Sequence, residues 1–375
     1  MMKNKKRDKL RVLYVIQSIY PEKAGAGINL HQFLPFCKGL FDFSVLSTES
    51  KITRTDQDKK FNYYRINTQG KSKHYIAITQ VSHIFTYLAL LFRSDIIHIK
   101  SIPKGTFIIT LLAKSVGKVV IQEPTLVGHD NSDIFSKYKL GSLLRLAWKI
   151  SDDRFYISED VKLNCKEFEG TIVPRGVDLS RFAIKDNTTL RESLGINKEQ
   201  LVFSQVGRIS ERKNQLKTLN IVSKLCSKLM IEPVIIFIGP YEKDDYYSNL
   251  IKESERLGVN TIFTGQVDNV EDYLSLSKVY IFPSKDEGFG VSILQAMASN
   301  NITFISPVGC YKELESEGFN GVIDGNVDEW VSKIEFHLKD INYEVTHNSH
   351  IIKNFDLSFI SQKTLYLYEK LVKVK

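Results

Sequence analysis

Residues 279–313, VYIFPSKDEGFGVSILQAMASNNITFISPVGCYKELE, carry the side chains whose types and spacing could do chemistry. An apolar strand, Val279 to Phe282, runs into Pro283-Ser284. A polar loop then offers Glu287, with Gly288 and Gly290 flanking Phe289, and a helix-compatible run through Ile293, Leu294, Ala296, Met297 and Ala298 leads to a second apolar strand near Ile302. Glycines at the mouth of a helix let backbone N–H groups approach a ligand at the positive end of the helix dipole, which suits phosphate or sugar oxygens. Gln295 falls about one turn into the helix and can face the same mouth as Glu287. The loop thus offers a carboxylate, backbone amides and a carboxamide. Alone it fits a plain strand-to-helix turn equally well.

A second loop, VGRISERKNQ (206–215), places Arg208 directly after a strand and Lys213 at the opening of the next helix. A guanidinium fork and a mobile ammonium suit a diphosphate, whose charge must be neutralised while it leaves; a solvated charged loop has the same composition. Metal chemistry has no such support. The eight histidines show no HxxxH or HExxH spacing, and Asp152-Asp153 and Asp244-Asp245 read as element starts rather than ligands. A nucleophile elbow and a Walker loop are also missing, which removes the hydrolase and P-loop readings.

The elements that must position these loops alternate along the whole chain. At 375 residues with 43% hydrophobic and 25% charged residues, the composition is that of a globular protein of two domains. Strand 10–16 leads into Gly25 and Gly27 and an amphipathic helix through Leu30, Phe33, Leu34 and Leu40. The spacing of those glycines is not the dinucleotide fingerprint. Strands at 43–47, 63–67, 95–100 and 118–122 alternate with helices across 76–92 and 106–115; after a break at Pro174 and Gly176 the pattern restarts with strands at 201–206, 233–239 and 261–265. Such alternation calls for parallel sheets covered on both faces, and two doubly wound halves facing each other would leave a cleft at the C-terminal ends of the strands.

Charge and cysteine usage narrow the setting. Residues 1–180 hold 28 Lys and Arg against 17 Asp and Glu, so the first half carries the surplus behind the net charge of +8. That surplus suits an anionic membrane surface, an acidic acceptor or nucleic acid, or is simply a solvated face. The segment KYKLGSLLRLAWKI (137–150) fits a helix on anionic lipid, and fits a core helix with basic flanks just as well; IFTYLALLF (84–92) is too short to span a bilayer. Cys37, Cys165, Cys226 and Cys310 form no CxxC pair and read as reduced, buried thiols in a cytoplasm. The basic start is followed by an ordinary strand rather than a secretory core, so no signal peptide is expected.

Taken together, GRISERKN (207–214), VYIFPSKDEGFGVSILQAMA (279–298), IVPRGVDLSRF (172–182), the early glycine turn and the ending FDLSFISQKTLYLYEKL (355–371) resemble the retaining glycosyltransferases of family 4, of the bacterial polysaccharide type. The resemblance covers nearly the whole chain and implies the GT-B fold, an α/β architecture of two Rossmann-like doubly wound domains facing across a cleft. Its implied boundaries are an acceptor-side domain at 1–178, joined by a returning helix at 356–375, and a nucleotide-sugar domain at 179–355. It further implies that Arg208 and Lys213 hold the donor diphosphate and that Glu287 contacts the transferred sugar. The backbone of Gly288, Phe289, Gly290 and Val291 would meet sugar hydroxyls or phosphate, and Gly25 and Gly27 would let the first loop close over the donor. No metal or other cofactor is implied, since cations and helix amides take the leaving-group role.

Two positions depart from the family pattern. The second glutamate of its pair, which meets the ribose hydroxyls, is here Gln295; a carboxamide accepts through one neutral oxygen, a loss of about 1 kcal/mol of donor binding. The family's active-site histidine is expected just after strand 118–122, where Glu123 and Pro124 stand, and His129 follows several residues later as its candidate replacement. His98, inside a strand, reads as a satisfied strand histidine. The reading that results is a cytoplasmic enzyme, peripheral at the inner face of the membrane. It moves a sugar from a nucleotide-diphosphate donor to a glycan or lipid-linked hydroxyl acceptor of capsule or O-antigen, without nucleic acid as partner. The rival reading is a noncatalytic GT-B partner subunit, with Gln295 as its mark.

Overall fold

The computed structural model of the chain describes residues 9–22, 25–50, 61–67, 84–103, 105–126, 135–136, 141–183, 187–339 and 350–374. It divides into two compact units, Met1–Arg175 with Leu357–Lys375, and Gly176–Asp356. Both are built as open parallel sheets between helices.

In unit 1 the strands are β1 (Arg11–Ile16), β2 (Asp42–Ser50), β3 (Tyr63–Asn67), β4 (Ile96–Lys100), β5 (Val119–Glu123), β6 (Asp153–Tyr156) and β7 (Thr171–Ile172). They pair in the order β3-β2-β1-β4-β5-β6-β7, every pairing parallel. The helices between them are α1 (Gly25–Cys37), α2 (Ile84–Arg93), α3 (Thr106–Ser115), α4 (Gly141–Ile150) and α5 (Glu159–Leu163). The helix expected over 76–92 is described from Ile84 onward, its earlier part lying outside the described residues.

Period-two alternation divides β1 between two cores. Tyr14 and Ile16 face one cluster with Leu30, Phe41 and Phe155, whereas Leu13 and Val15 face another with Tyr87, Leu91 and Ile97. All five residues of β4 and all five of β5 are buried, as parallel strands covered on both faces must be. The lipid-facing option for 137–150 meets a competing demand. Leu144, Ala147 and Trp148 of α4 are buried, and Trp148 packs edge-on against Phe135 and Phe168, so that apolar stripe belongs to the core.

Unit 2 opens with α6 (Thr188–Ser193) and its sheet comprises β8 (Val202–Val206), β9 (Val234–Ile238), β10 (Asn260–Phe263), β11 (Val279–Phe282) and β12 (Ile302–Ile305), in the parallel order β10-β9-β8-β11-β12. Its further helices are α7 (Gln215–Leu229), α8 (Asp245–Leu257), α9 (Val270–Leu276), α10 (Val291–Ala298), α11 (Tyr311–Ser316) and α12 (Val327–Lys339). The last helix, α13 (Leu357–Lys373), belongs to unit 1, where Tyr368 enters the first cluster. The four cysteines are buried and none forms a disulfide, and no described helix is long and apolar enough to cross a membrane.

Candidate functional site

In the unit 2 sheet the strand order reverses between β8 and β11, and open parallel sheets bind ligands beyond the C-terminal ends of the strands at such a reversal. The two loops singled out above leave those two strands, so the topology brings 207–214 and 283–290 side by side. Lys285 N donates to Arg212 O at 2.9 Å and Asn214 Nδ2 to Pro283 O at 3.3 Å, which laces one loop to the other.

Glu287 is the buried centre of the pair. Its Oε1 accepts from Lys213 Nζ at 2.5 Å, Arg212 Nη1 at 2.9 Å and Ser284 Oγ at 2.9 Å. Among the described residues no donor faces Oε2. Two cations on one carboxylate leave a positive excess at the loop. Burial pushes the Lys213 ammonium down and Glu287 draws it back up, so the pair depends on both members. Lys213 also lies 4.7 Å from the Phe282 ring centre, a cation–π contact that helps hold a desolvated ammonium.

Local chemistry explains why the loops take this shape. Gln205 of β8 donates through Nε2 to Lys213 O at 2.7 Å and accepts from Thr218 Oγ1 at 2.6 Å, while Gln215 donates to Arg208 O at 3.1 Å and accepts from Ser210 N at 3.2 Å. Two buried amides thereby satisfy a turn that would otherwise strand its backbone groups. On the other loop Gly290 stands before α10 with φ +84°, a backbone region that favours glycine, and the helix has no side-chain cap and no acid in its first turn. Gly309 backs the same loop: a Cβ there would come within 2.5 Å of Phe289 O, which accepts from Cys310 N at 2.9 Å.

The residues expected from the sequence take distinct places. Glu287 and Lys213 meet directly. Arg208 is on the same loop, but its side chain is 53% exposed and pairs with the exposed Glu242 at 2.9 Å. Gly288 and Phe289 are buried, and the Phe289 ring lies 6.4 Å from that of Phe355, so its backbone rather than its ring borders the helix mouth. Val291 begins α10, and Gln295 sits half-buried in its second turn. Gly25 and Gly27 open α1 in unit 1; a Cβ on Gly27 would lie 2.5 Å from Ser18 O, so this glycine permits a close approach of helix and preceding loop. His129 lies outside the described residues.

Arg212, Ser284, Gln205 and Gln215 are missed by the sequence reading. Arg212 neighbours Lys213 and Ser284 directly follows β11, so adjacency alone could have nominated them; the two glutamines give no local signal. Among the described residues no three His, Cys, Asp or Glu side chains gather as a metal-binding group would require.

Comparison with known proteins adds to this geometry. The family model of the glycosyl transferases group 1 matches residues 186–354, a span that covers unit 2 apart from its ends. The capsular polysaccharide biosynthesis glycosyltransferase CapH of Staphylococcus aureus is 24% identical over 311 residues, which cover 80% of this chain and 82% of that relative. Among solved structures, a glycosyltransferase from Rickettsia africae superposes with a TM-score of 0.77 at 15% identity, covering 98% of this chain and 100% of its own. Anabaena Alr3699/HepE, solved in complex with UDP and glucose, gives a TM-score of 0.73 at 17% identity over 96% and 100% of the two chains. The expected fold is borne out: two parallel-sheet Rossmann-like units with GT-B glycosyltransferases as structural neighbours.

Proposed function

We propose that the protein is a retaining glycosyltransferase that moves a sugar from a nucleotide-diphosphate sugar to a hydroxyl acceptor of a bacterial surface polysaccharide, glycan or lipid-linked, without a metal. The observation that carries this reading is the convergence of Lys213, Arg212 and Ser284 on a single oxygen of Glu287 at the reversal point of the unit 2 sheet. A diphosphate arriving here would take Lys213 and Arg212 from the carboxylate, and Arg208 would leave its exposed partner at little cost. The cations would then neutralise the charge that grows on the leaving diphosphate. Glu287 Oε2 is available to a hydroxyl of the transferred sugar, and the α10 amides to phosphate or sugar oxygens. Likeness to CapH favours a surface-polysaccharide acceptor.

Membrane proximity, if the acceptor is lipid-linked, would rest on the basic first half together with α2, where Phe85 and Phe92 share a face and are 76% and 61% exposed. Sedimentation with anionic vesicles at low and physiological salt checks that part alone.

The donor site is tested by thermal unfolding with UDP, GDP, ADP and dTDP in the presence of a chelator. UDP comes first because HepE was solved with it. At about 100 times its dissociation constant a nucleotide adds roughly 2.7 kcal/mol to the folded state. We expect one base type to raise Tm, and Arg208→Ala to abolish the rise while leaving the unliganded Tm unchanged. Absence of any nucleotide shift supports the noncatalytic partner reading instead.

A further inference from the structure

Another charge cluster lies at the C-terminal edge of the first sheet, and the donor chemistry does not use it. Lys100 ends β4, Glu123 ends the adjacent β5, and Arg175 closes the first long segment of unit 1. Lys100 Nζ reaches both Glu123 oxygens, at 2.6 and 2.5 Å; Arg175 Nη2 reaches Oε1 at 2.5 Å, and His98 Nε2 stands 2.9 Å from Oε2. Side-chain exposure is 4% for Lys100, 5% for Glu123 and 14% for Arg175.

Among the described residues the charges of this cluster do not balance. Burial pushes the Glu123 carboxyl up, but Arg175 and Lys100 more than offset this and hold it well below the usual carboxylate range. Burial pushes His98 down to about 4, so the ring is neutral at pH 7. With the carboxylate beside Nε2, the proton belongs on Nε2; Nδ1 then accepts from the Tyr368 hydroxyl at 2.6 Å, and Tyr368 accepts from Tyr14 at 3.0 Å. That chain of bonds carries no charge. Among the described residues two cations therefore face one anion, and the buried Arg175 Nε has no hydrogen-bond partner there. A buried charge is tolerated when it is paired, so a surplus cation at a sheet edge points to a counter-charge brought by a ligand.

The surroundings agree. The strand order reverses between β1 and β4, which makes the end of β4 the reversal point of this sheet. Ser101, next after Lys100, has φ +63°, uncommon for a residue with a side chain, and bonds Thr125 at 2.8 Å. Helix α3 follows, with no acid in its first turn and no side-chain cap.

We propose that this corner of unit 1 binds an anionic group of the acceptor, a phosphate or a carboxylate, and that Arg175 touches it. The word acceptor rests on the transfer reading above; the anion site does not, and its test needs neither turnover nor nucleotide. Inorganic phosphate and acetate are titrated into the full chain carrying Arg208→Gln, which weakens phosphate binding at the donor loop, against potassium chloride of equal ionic strength. The expected result is a saturable rise in Tm beyond that of chloride, with apparent affinity at least tenfold weaker in Arg175→Gln and partly kept in Arg175→Lys. The larger response, to phosphate or to acetate, identifies the group. Equal shifts for all three salts, or an anion-specific shift that Arg175→Gln leaves unchanged, overturn the proposal. Should Arg175→Gln not fold, the Nε–H signal of Arg175 is followed by NMR in the unsubstituted chain, assigned by its loss in Arg175→Lys. Saturable movement with either anion supports the site, and a signal that stays still overturns it.

Discussion

Two buried carboxylates, Glu287 and Glu123, solve the same problem in different units: each is taken out of water and each is held by two cations. Removing one member of such a set strands a charge, which is why these residues are harder to change than exposed pairs such as Arg208 and Glu242. His98 shows the consequence for pH. Its ring is fully buried among Glu123, Lys100, Arg175, Tyr14 and Tyr368, and burial lowers it from 6.5 to about 4. Because the folded value lies below the unfolded one, the stability it supports is complete above pH 6.5 and is lost as pH falls toward 4: the unfolded chain takes up a proton that the folded one refuses. The slope approaches about 1.4 kcal/mol per pH unit, and the whole loss is roughly 3 kcal/mol. Urea unfolding of unit 1 between pH 7 and 5 is expected to show this decline, and His98→Phe to flatten it. An unchanged slope in that variant would place the acid sensitivity elsewhere.

Elements set how precisely those residues meet, and at Gly309 the loop before α11 approaches the backbone of the loop before α10. Gly309 has φ +67°, and a Cβ would lie 2.5 Å from Phe289 O, a backbone atom that cannot swing aside. Gly309→Ala is expected to cost about 2 kcal/mol or more through left-handed strain and displacement of 287–290, seen as a lower Tm together with weaker nucleotide stabilisation. A lower Tm with nucleotide binding intact would mean that the loop absorbs the shift. The strands were legible because β4, β9 and β11 are short apolar runs bounded by turn residues, and the two reversal-point loops because glycines and cations follow such runs directly. Other features are not written locally. The bond from Gln205 to Lys213 joins a strand interior to a loop, and the contact of Arg212 with Glu287 spans 75 positions, so neither leaves a periodic trace. For α4, periodicity gives an apolar stripe but not what covers it; Trp148, wedged between Phe135 and Phe168, decides for the core. Glu123 looked like an unexplained replacement in the sequence because its partners, Lys100 and Arg175, come from separate segments of unit 1.

At the scale of the whole molecule, the chain finishes unit 1 only after unit 2 is complete, because α13 follows Asp356 and supplies part of the first core. Tyr368 is fully buried, stacked at 5.9 Å on Phe155 and edge-on at 5.4 Å to Phe41, and Leu365, Leu367, Leu371 and Val372 pack around the same cluster. One large buried side chain with several partly buried ones contributes roughly 5 kcal/mol. That equals the lower end of a domain's entire stability. The polar chain from Tyr14 through Tyr368 to His98 would be cut as well, leaving Nδ1 of a buried imidazole without its donor. A chain ending at Asp356 is therefore expected to lose amide-exchange protection throughout β1, β4 and β5 while β8, β9 and β11 keep theirs, since no residue of α13 belongs to the unit 2 cluster. Adding a peptide of residues 355–375 should restore protection in unit 1, and a peptide carrying Tyr368→Ala should restore less. Full protection of β1 and β4 in the shortened chain would show that α13 only covers a unit that folds without it, and loss in both units at once would show that their stabilities are not separable.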